Sequence, residues 1–284
     1  MRAWAVVAAS LLAVAPAGAE GRLRIVSLAP SLTELAFAAG AGETLVGTVE
    51  YSDYPAAART LPRVGDGWRV DIERVLALKP DLVLAWSSGT PQEVITRLQS
   101  LHLRVVSIQT YRLADIPAAL RSIGRIAGTS AAAGAAAANF EAEIRRLRAA
   151  HTGARAVSVF IQIDDEPLYT VNGRHIISEV VELCGGRNVF AELPQLAPPV
   201  ALEAVLARQP QVILSTDDTI ADPRPYWQRW PRLAAVSAGT IYSMPSDTLT
   251  RATPRLVQGA QATCDALDDA RARIPGADSA PVTP

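Results

Sequence analysis

The chain has 284 residues, 27 basic against 28 acidic side chains, a net charge of −1, and is 49% apolar. That much apolar surface can offset the entropy of ordering, which excludes a disordered chain. Near-zero charge leaves little counterion-release affinity for a phosphate backbone, which excludes nucleic acid as the main partner. The length suits one large α/β domain or two lobes.

Residues 1–19 carry Arg2, an apolar run from Ala3 to Ala15, and Ala17-Gly18-Ala19. This is the charged start, short apolar core and small-residue cleavage site of a secretory signal peptide, so the mature chain is expected to begin near Glu20, outside the cytoplasm. No later run approaches the roughly 18 apolar residues of a membrane span, and no direct membrane insertion is expected.

An N-terminal lobe is predicted over 20–127. Its first strand is 24–28, followed by a helix that Ser31 and Glu34 would open as a capping box and Gly40 would end. Further strands are predicted at 45–49, 81–86 and 104–108. The stretch 128–152 is rich in Ala, Glu, Arg and Leu, with Glu141 and Arg145 spaced for an i,i+4 pair. It is predicted to be one long linking helix, of which Thr129 to Ala150 alone spans about 33 Å, a stiff strut that argues against wide clamshell motion. Gly134 is its weak point.

A C-terminal lobe follows over 153–274, with strands at 156–163, 211–216 and 240–244 and helices near 174–183 and 252–273. The tail 275–284 is expected to be disordered. Strands alternating with helices give the fold class: α/β, two Rossmann-like lobes with parallel sheets joined by one long α-helix. One unit recurs 130 residues on: Glu73 to Leu84 aligns without gaps on Glu203 to Leu214. In each copy a short helix stops before Pro80 or Pro210 and the chain enters a buried strand. Two such copies imply lobes of like topology.

Motifs for catalysis, phosphate loops and dinucleotide binding are absent from the sequence. No catalytic residue, metal site or cofactor is assigned. His102 and His151 read as ordinary surface residues, whereas His175, after Asn172-Gly173, could face a cleft. Asp164-Asp165-Glu166 reads as a solvated strand-end turn or, less simply, a metal site or an acid–base pair. Cys184 and Cys264, in an oxidising compartment, are a disulfide or two buried thiols.

The aromatics are more telling. Ligands of parallel sheets bind beyond the carboxyl ends of the strands. Tyr51 follows the strand at 45–49, Trp86 ends that at 81–86, and Tyr169 follows that at 156–163. Such side chains can stack on a broad flat ligand. Trp227 and Trp230 read instead as core.

Together these stretches resemble the periplasmic cobalamin-binding proteins, within the class of substrate-binding proteins whose lobes are joined by a long helix. The resemblance rests on Ser31 to Gly40, Tyr51-Ser-Asp-Tyr-Pro55, Glu73 to Trp86 and Glu182 to Phe190. It implies a corrinoid held between the lobes without chemistry, by a monomer that serves the membrane permease of an ABC importer. It assigns ligand contacts to Tyr51, Trp68 and Trp86 and to the loop Asp247, Thr248, Leu249, Thr250 and Arg251. It also implies docking on permease arginines by Glu73 and Glu203, and a disulfide between Cys184 and Cys264. The loop 195–199 lacks the aromatic side chain of familiar members, and Thr248 and Leu249 replace an aromatic pair. Alternatives are a haem or iron–siderophore binder, to which Arg69, Arg174 and Arg251 could contribute, and an exported chelatase using His175 with Asp164 or Glu166.

Overall fold

The computed structural model describes residues 22–217 and 221–274. The predicted signal at 1–19 and tail at 275–284 lie outside the described residues. The first lobe runs β1 (Ile25–Ser27), α1 (Pro30–Ala38), β2 (Leu45–Gly47), α2 (Ile72–Ala77), β3 (Leu82–Trp86), α3 (Gln92–Ser100), β4 (Val105–Ile108) and α4 (Asp115–Ala127). Helix α5 (Ser130–His151) follows. The second lobe has β5 (Val157–Gln162), a small hairpin of β6 (Asp164–Asp165) and β7 (Leu168–Tyr169), α6 (Ile176–Leu183), β8 (Gly186–Asn188), α7 (Leu202–Arg208) and β9 (Val212–Thr216). Short helices α8 (Arg224–Trp227) and α9 (Ala234–Ala238) lead to β10 (Ile241–Met244), α10 (Ser246–Leu249) and α11 (Leu256–Arg273).

Both main sheets are parallel and share one topology. The first is ordered β2-β1-β3-β4 and the second β8-β5-β9-β10, so each places its second strand outside its first and then runs outward through the third and fourth. Alternation along the strands fills two layers at once. Ile25, Leu82 and Leu84 face one core while Val26 and Val83 face another. In the second lobe Val159, Ile161, Val212 and Leu214 alternate likewise with Phe160 and Ile213. Side chains of successive strand residues point to opposite faces, so a run apolar at every position is what a sheet covered on both sides requires.

One of these cores is continuous through both lobes, and α5 carries it. Ala133, Ala137, Phe140, Ile144 and Leu147 form its buried stripe. Gly124 of α4 lets the two helices close, since a Cβ there would stand 2.3 Å from that of Ala133. Glu141 does not pair along α5 with Arg145. Its carboxylate accepts two hydrogen bonds from Arg121 of α4, at 2.7 and 3.0 Å, because a bidentate partner on the neighbouring helix is better placed than one on its own exposed face. Cys184 and Cys264 are joined as a disulfide across 80 residues, tying the end of α6 to α11.

Three local expectations change. Helix α1 starts at Pro30 with Ala29 as its uncapped N-terminus, so Ser31 and Glu34 form no capping box. The last helix begins at Leu256, with α10 separate before it. His151 is not a free surface residue: its Nε2 lies 3.2 Å from Asp268 and its Nδ1 2.8 Å from the Leu147 carbonyl.

Candidate ligand-binding cleft

The carboxyl ends of the first sheet and the facing loops of the second lobe enclose a cavity of about 190 Å³. Trp86, at the end of β3, lies over the turn that follows; a Cβ on Gly89 would meet its ring at 2.0 Å. The turn is closed by Trp86 N–H donating to Thr90 Oγ1 and Thr90 N–H donating to the Trp86 carbonyl, each at 2.9 Å. Beyond β4 come Thr110 and Tyr111, and Ser31 contributes from the first turn of α1. Across the gap stand His175, Leu196, Thr250 and Arg251. The indole N–H of Trp86 and the hydroxyl of Thr110 are buried without a hydrogen-bond partner. His175 caps α6: its Nδ1 accepts from Ile177 N–H at 3.2 Å, and burial pushes its imidazole down to about 4.

Ion pairs clasp the lobes on both sides of this cavity. Glu34, only 3% exposed, accepts from Arg255 at 2.6 and 2.9 Å and from Arg251 at 3.2 Å. Arg251 also donates to Asp53 at 2.8 Å and meets Asp247 at 3.0 Å. The guanidinium of Arg255 sits 4.1 Å from the centre of the Tyr54 ring. On the other side Glu179 of α6 accepts from Arg112 at 3.1 Å and from Leu113 N–H at 2.9 Å. Burial raises the Asp53 carboxyl, but the hydrogen bond and charge of Arg251 outweigh it and hold the group below its usual value. The gap between the lobes, where the resemblance puts a broad ligand, is narrow, because opposed charges, invisible as pairs in the sequence, draw the two walls together.

The assigned residues fall into three groups. Trp86, Thr250 and Arg251 line the cavity. Tyr51 and Trp68 stand outside it, 75% and 69% exposed, on loops linked where Glu50 N–H donates to the Gly65 carbonyl at 2.7 Å. Tyr51 has a left-handed backbone at φ 62°, and a buried network of hydroxyls anchors its loop: Thr33 to Thr48 at 2.6 Å and Thr48 to Ser52 at 2.8 Å. Asp247 is exposed and engaged with Arg251, Tyr169 is half-buried in the β6–β7 hairpin, and Thr248 packs its backbone where Gly259 of α11 leaves room. Leu249 is 1% exposed within the continuous core, so its side chain cannot supply the contact expected of it: in a single turn of helix, neighbours of a cleft residue point inward.

Elsewhere, Glu73 and Glu203 occupy matching first turns of α2 and α7, exposed and without an ion-pair partner among the described residues. Arg69 is exposed, and Arg174 bonds the Pro194 carbonyl. Asp164 and Asp165 form β6, and no cluster of three or more potential metal ligands occurs among the described residues. Sequence reasoning misses Thr110, Tyr111 and Leu196. Tyr111 was within reach, since it follows the strand at 104–108 as Tyr51 follows that at 45–49.

The sequence model for periplasmic binding proteins matches residues 25–248. The chain belongs to the periplasmic binding protein family. The vitamin B12-binding protein of Pectobacterium carotovorum is 40% identical over 263 residues, covering 90% of this chain and 91% of that protein. The crystal structure of the periplasmic vitamin B12 binding protein of Vibrio cholerae superposes with a TM-score of 0.80 at 34% identity, over 87% of this chain and 97% of that one. A periplasmic heme binding protein from Pseudomonas aeruginosa gives a TM-score of 0.72 at 26% identity, over 86% and 91%. No described helix of this chain is long and apolar enough to cross a membrane.

Proposed function

We propose that this periplasmic binding protein captures cobalamin, or a close corrinoid, between its lobes and delivers it to the permease of an ABC importer, acting as an exported monomer without a cofactor of its own. The observation that carries the reading is the first-lobe wall: Trp86 and Tyr111 line the cavity floor while Tyr51 and Trp68 stand exposed at loops above the same sheet. A broad, amide-fringed macrocycle fits aromatic faces with hydrogen-bond donors between them. The similarity to vitamin B12-binding proteins, 40% identical in sequence and 0.80 in TM-score, supports the same ligand.

At about 190 Å³ the cavity is below the range of drug-sized sites, so a corrinoid enters only as the ion pairs between the walls part. A ligand that needs arginines for its carboxylates, such as haem with its two propionates or a carboxylate-rich siderophore, is served less well. Arg251 is already engaged by three acids, Arg174 by a carbonyl and Arg112 by Glu179. Glu73 and Glu203 are the docking studs for the permease, one on each lobe.

Titrating the purified mature protein with cyanocobalamin, haemin and ferric siderophores, followed by tryptophan quenching or calorimetry, tests the ligand. Saturable binding of cyanocobalamin in the nanomolar to micromolar range, about −12 to −8 kcal/mol, is expected. Tight binding of haemin or a siderophore alone overturns the assignment.

A further inference from the structure

We infer that His175 is a ligand-specificity residue, a fixed uncharged donor that presents its Nε2–H to an amide carbonyl of the bound corrinoid. This deepens the proposed function and rests on the ligand reading given there. Three observations carry it. First, the imidazole lines the inter-lobe cavity, facing the wall that holds Trp86 and Thr110. Second, its orientation is set by the backbone, because Nδ1 accepts the Ile177 N–H at the start of α6. A neutral imidazole whose Nδ1 accepts must carry its proton on Nε2, and that atom has no hydrogen-bond partner among the described residues. Third, the neighbouring polar groups without partners are of the same kind: the Trp86 indole can only donate, and the Thr110 hydroxyl can donate.

The lining thus offers uncharged donors to an acceptor that the protein itself does not supply. Among the described residues Arg251 is the one charged side chain lining this cavity, and its guanidinium is already shared among Asp53, Glu34 and Asp247. Burial keeps His175 neutral at ordinary pH, so it favours a carboxamide oxygen without adding a positive charge for a carboxylate. The same tautomer argues against cobalt ligation. Nε2 would have to lose its proton, and moving that proton to Nδ1 would cost α6 its cap.

Two substitutions separate the roles. Asn at 175 can keep the cap, since its carbonyl takes the place of Nδ1, but it falls short of the Nε2 position. Gln reaches that position with an N–H but caps poorly. His175→Asn is therefore expected to keep the wild-type thermal midpoint and lose about tenfold in cyanocobalamin affinity, the scale of one hydrogen bond. His175→Gln should lower the midpoint and hold affinity within about threefold. An Asn variant that binds as tightly as wild type overturns the inference alone, as does a Gln variant as weak as the Asn one. Failure of the wild type to bind cyanocobalamin removes the ligand reading and this inference with it. A second probe, aquocobalamin, should keep its visible bands on binding; a band shift that His175→Asn abolishes would make the imidazole a cobalt ligand and overturn the donor role.

Discussion

The two lobes share one strand order yet use their aromatic residues in opposite ways. In the first lobe Tyr51, Trp68, Trp86 and Tyr111 stand at the carboxyl edge of the sheet, and the core beneath its outer face is built of Val and Leu. In the second lobe Phe160, Phe190 and Trp227 are fully buried, with ring centres 5.7 Å apart between Phe160 and each of the other two. What that lobe turns to the cleft is His175, Leu196, Thr250 and Arg251. One topology therefore supports a stacking wall on one side and a polar, charge-clasped wall on the other. The difference lies in where the same residue types are placed, not in how the chain is wound.

The lobes are alike where Glu73 and Glu203 stand, and reversing both charges should have the largest effect of all. Glu73→Arg with Glu203→Arg is expected to abolish cobalamin-stimulated transport in reconstituted vesicles and leave cyanocobalamin affinity unchanged. Each single reversal should reduce transport by a similar factor. A strong effect from one lobe and none from the other would break the symmetry. Next, the two aromatic uses can be set against each other. Trp227→Ala removes a side chain packed on Phe160 and strands Gln162, whose side-chain Oε1 accepts the indole N–H at 2.8 Å. It should cost about 3–5 kcal/mol in urea unfolding. Trp86→Ala, which removes a side chain only half-buried against the core, should cost less stability than that and weaken cyanocobalamin roughly ten- to a hundredfold. Equal stability losses would show that Trp86 is core after all.

Much of the fold is legible in the sequence because it is local. Apolar runs preceded by Pro80 and Pro210 mark β3 and β9, and the strand-end rule leads to Trp86. The edge strand β8 escapes because Gly186-Arg187-Asn188 has none of the β-branched residues that mark a strand. Glu34 misleads for a different reason. Ser-x-x-Glu at a helix start is the same string whether it caps the helix or, as in α1, sends its carboxylate to an arginine 221 residues away. Leu249 shares a loop with true cleft residues, yet one turn of helix must turn one residue in as it turns another out. Long-range ion pairing and the facing of a short helix both depend on tertiary placement, which no local pattern encodes.

Within the second lobe the disulfide offers a middling effect. Replacing Cys184 and Cys264 by Ser should cost about 2–4 kcal/mol, because the closed loop of 80 residues restrains the unfolded chain. The first lobe has no such staple among its described residues, so the loss should fall on protection of α6 and α11 in hydrogen exchange and spare α1 to α4.

The smallest effect tests the clasp between the walls. The Asp53 carboxyl is held below its usual value by Arg251 in the folded protein. Fewer protons are bound folded than unfolded at moderately acid pH, so the contribution is complete above about pH 4, the unfolded carboxyl range, and fades as pH falls through the lower folded value. The pair is half open to solvent, with 46% of the Asp53 side chain exposed, so it is worth at most about 1 kcal/mol. The difference in unfolding free energy between wild type and Asp53→Asn should thus be small and flat from pH 5 to 8, and should shrink toward zero in stronger acid. A difference that grew on acidification would mean that Asp53 is destabilised in place, and that the walls are held together by the pairs of Glu34 with Arg251 and Arg255 and of Glu179 with Arg112.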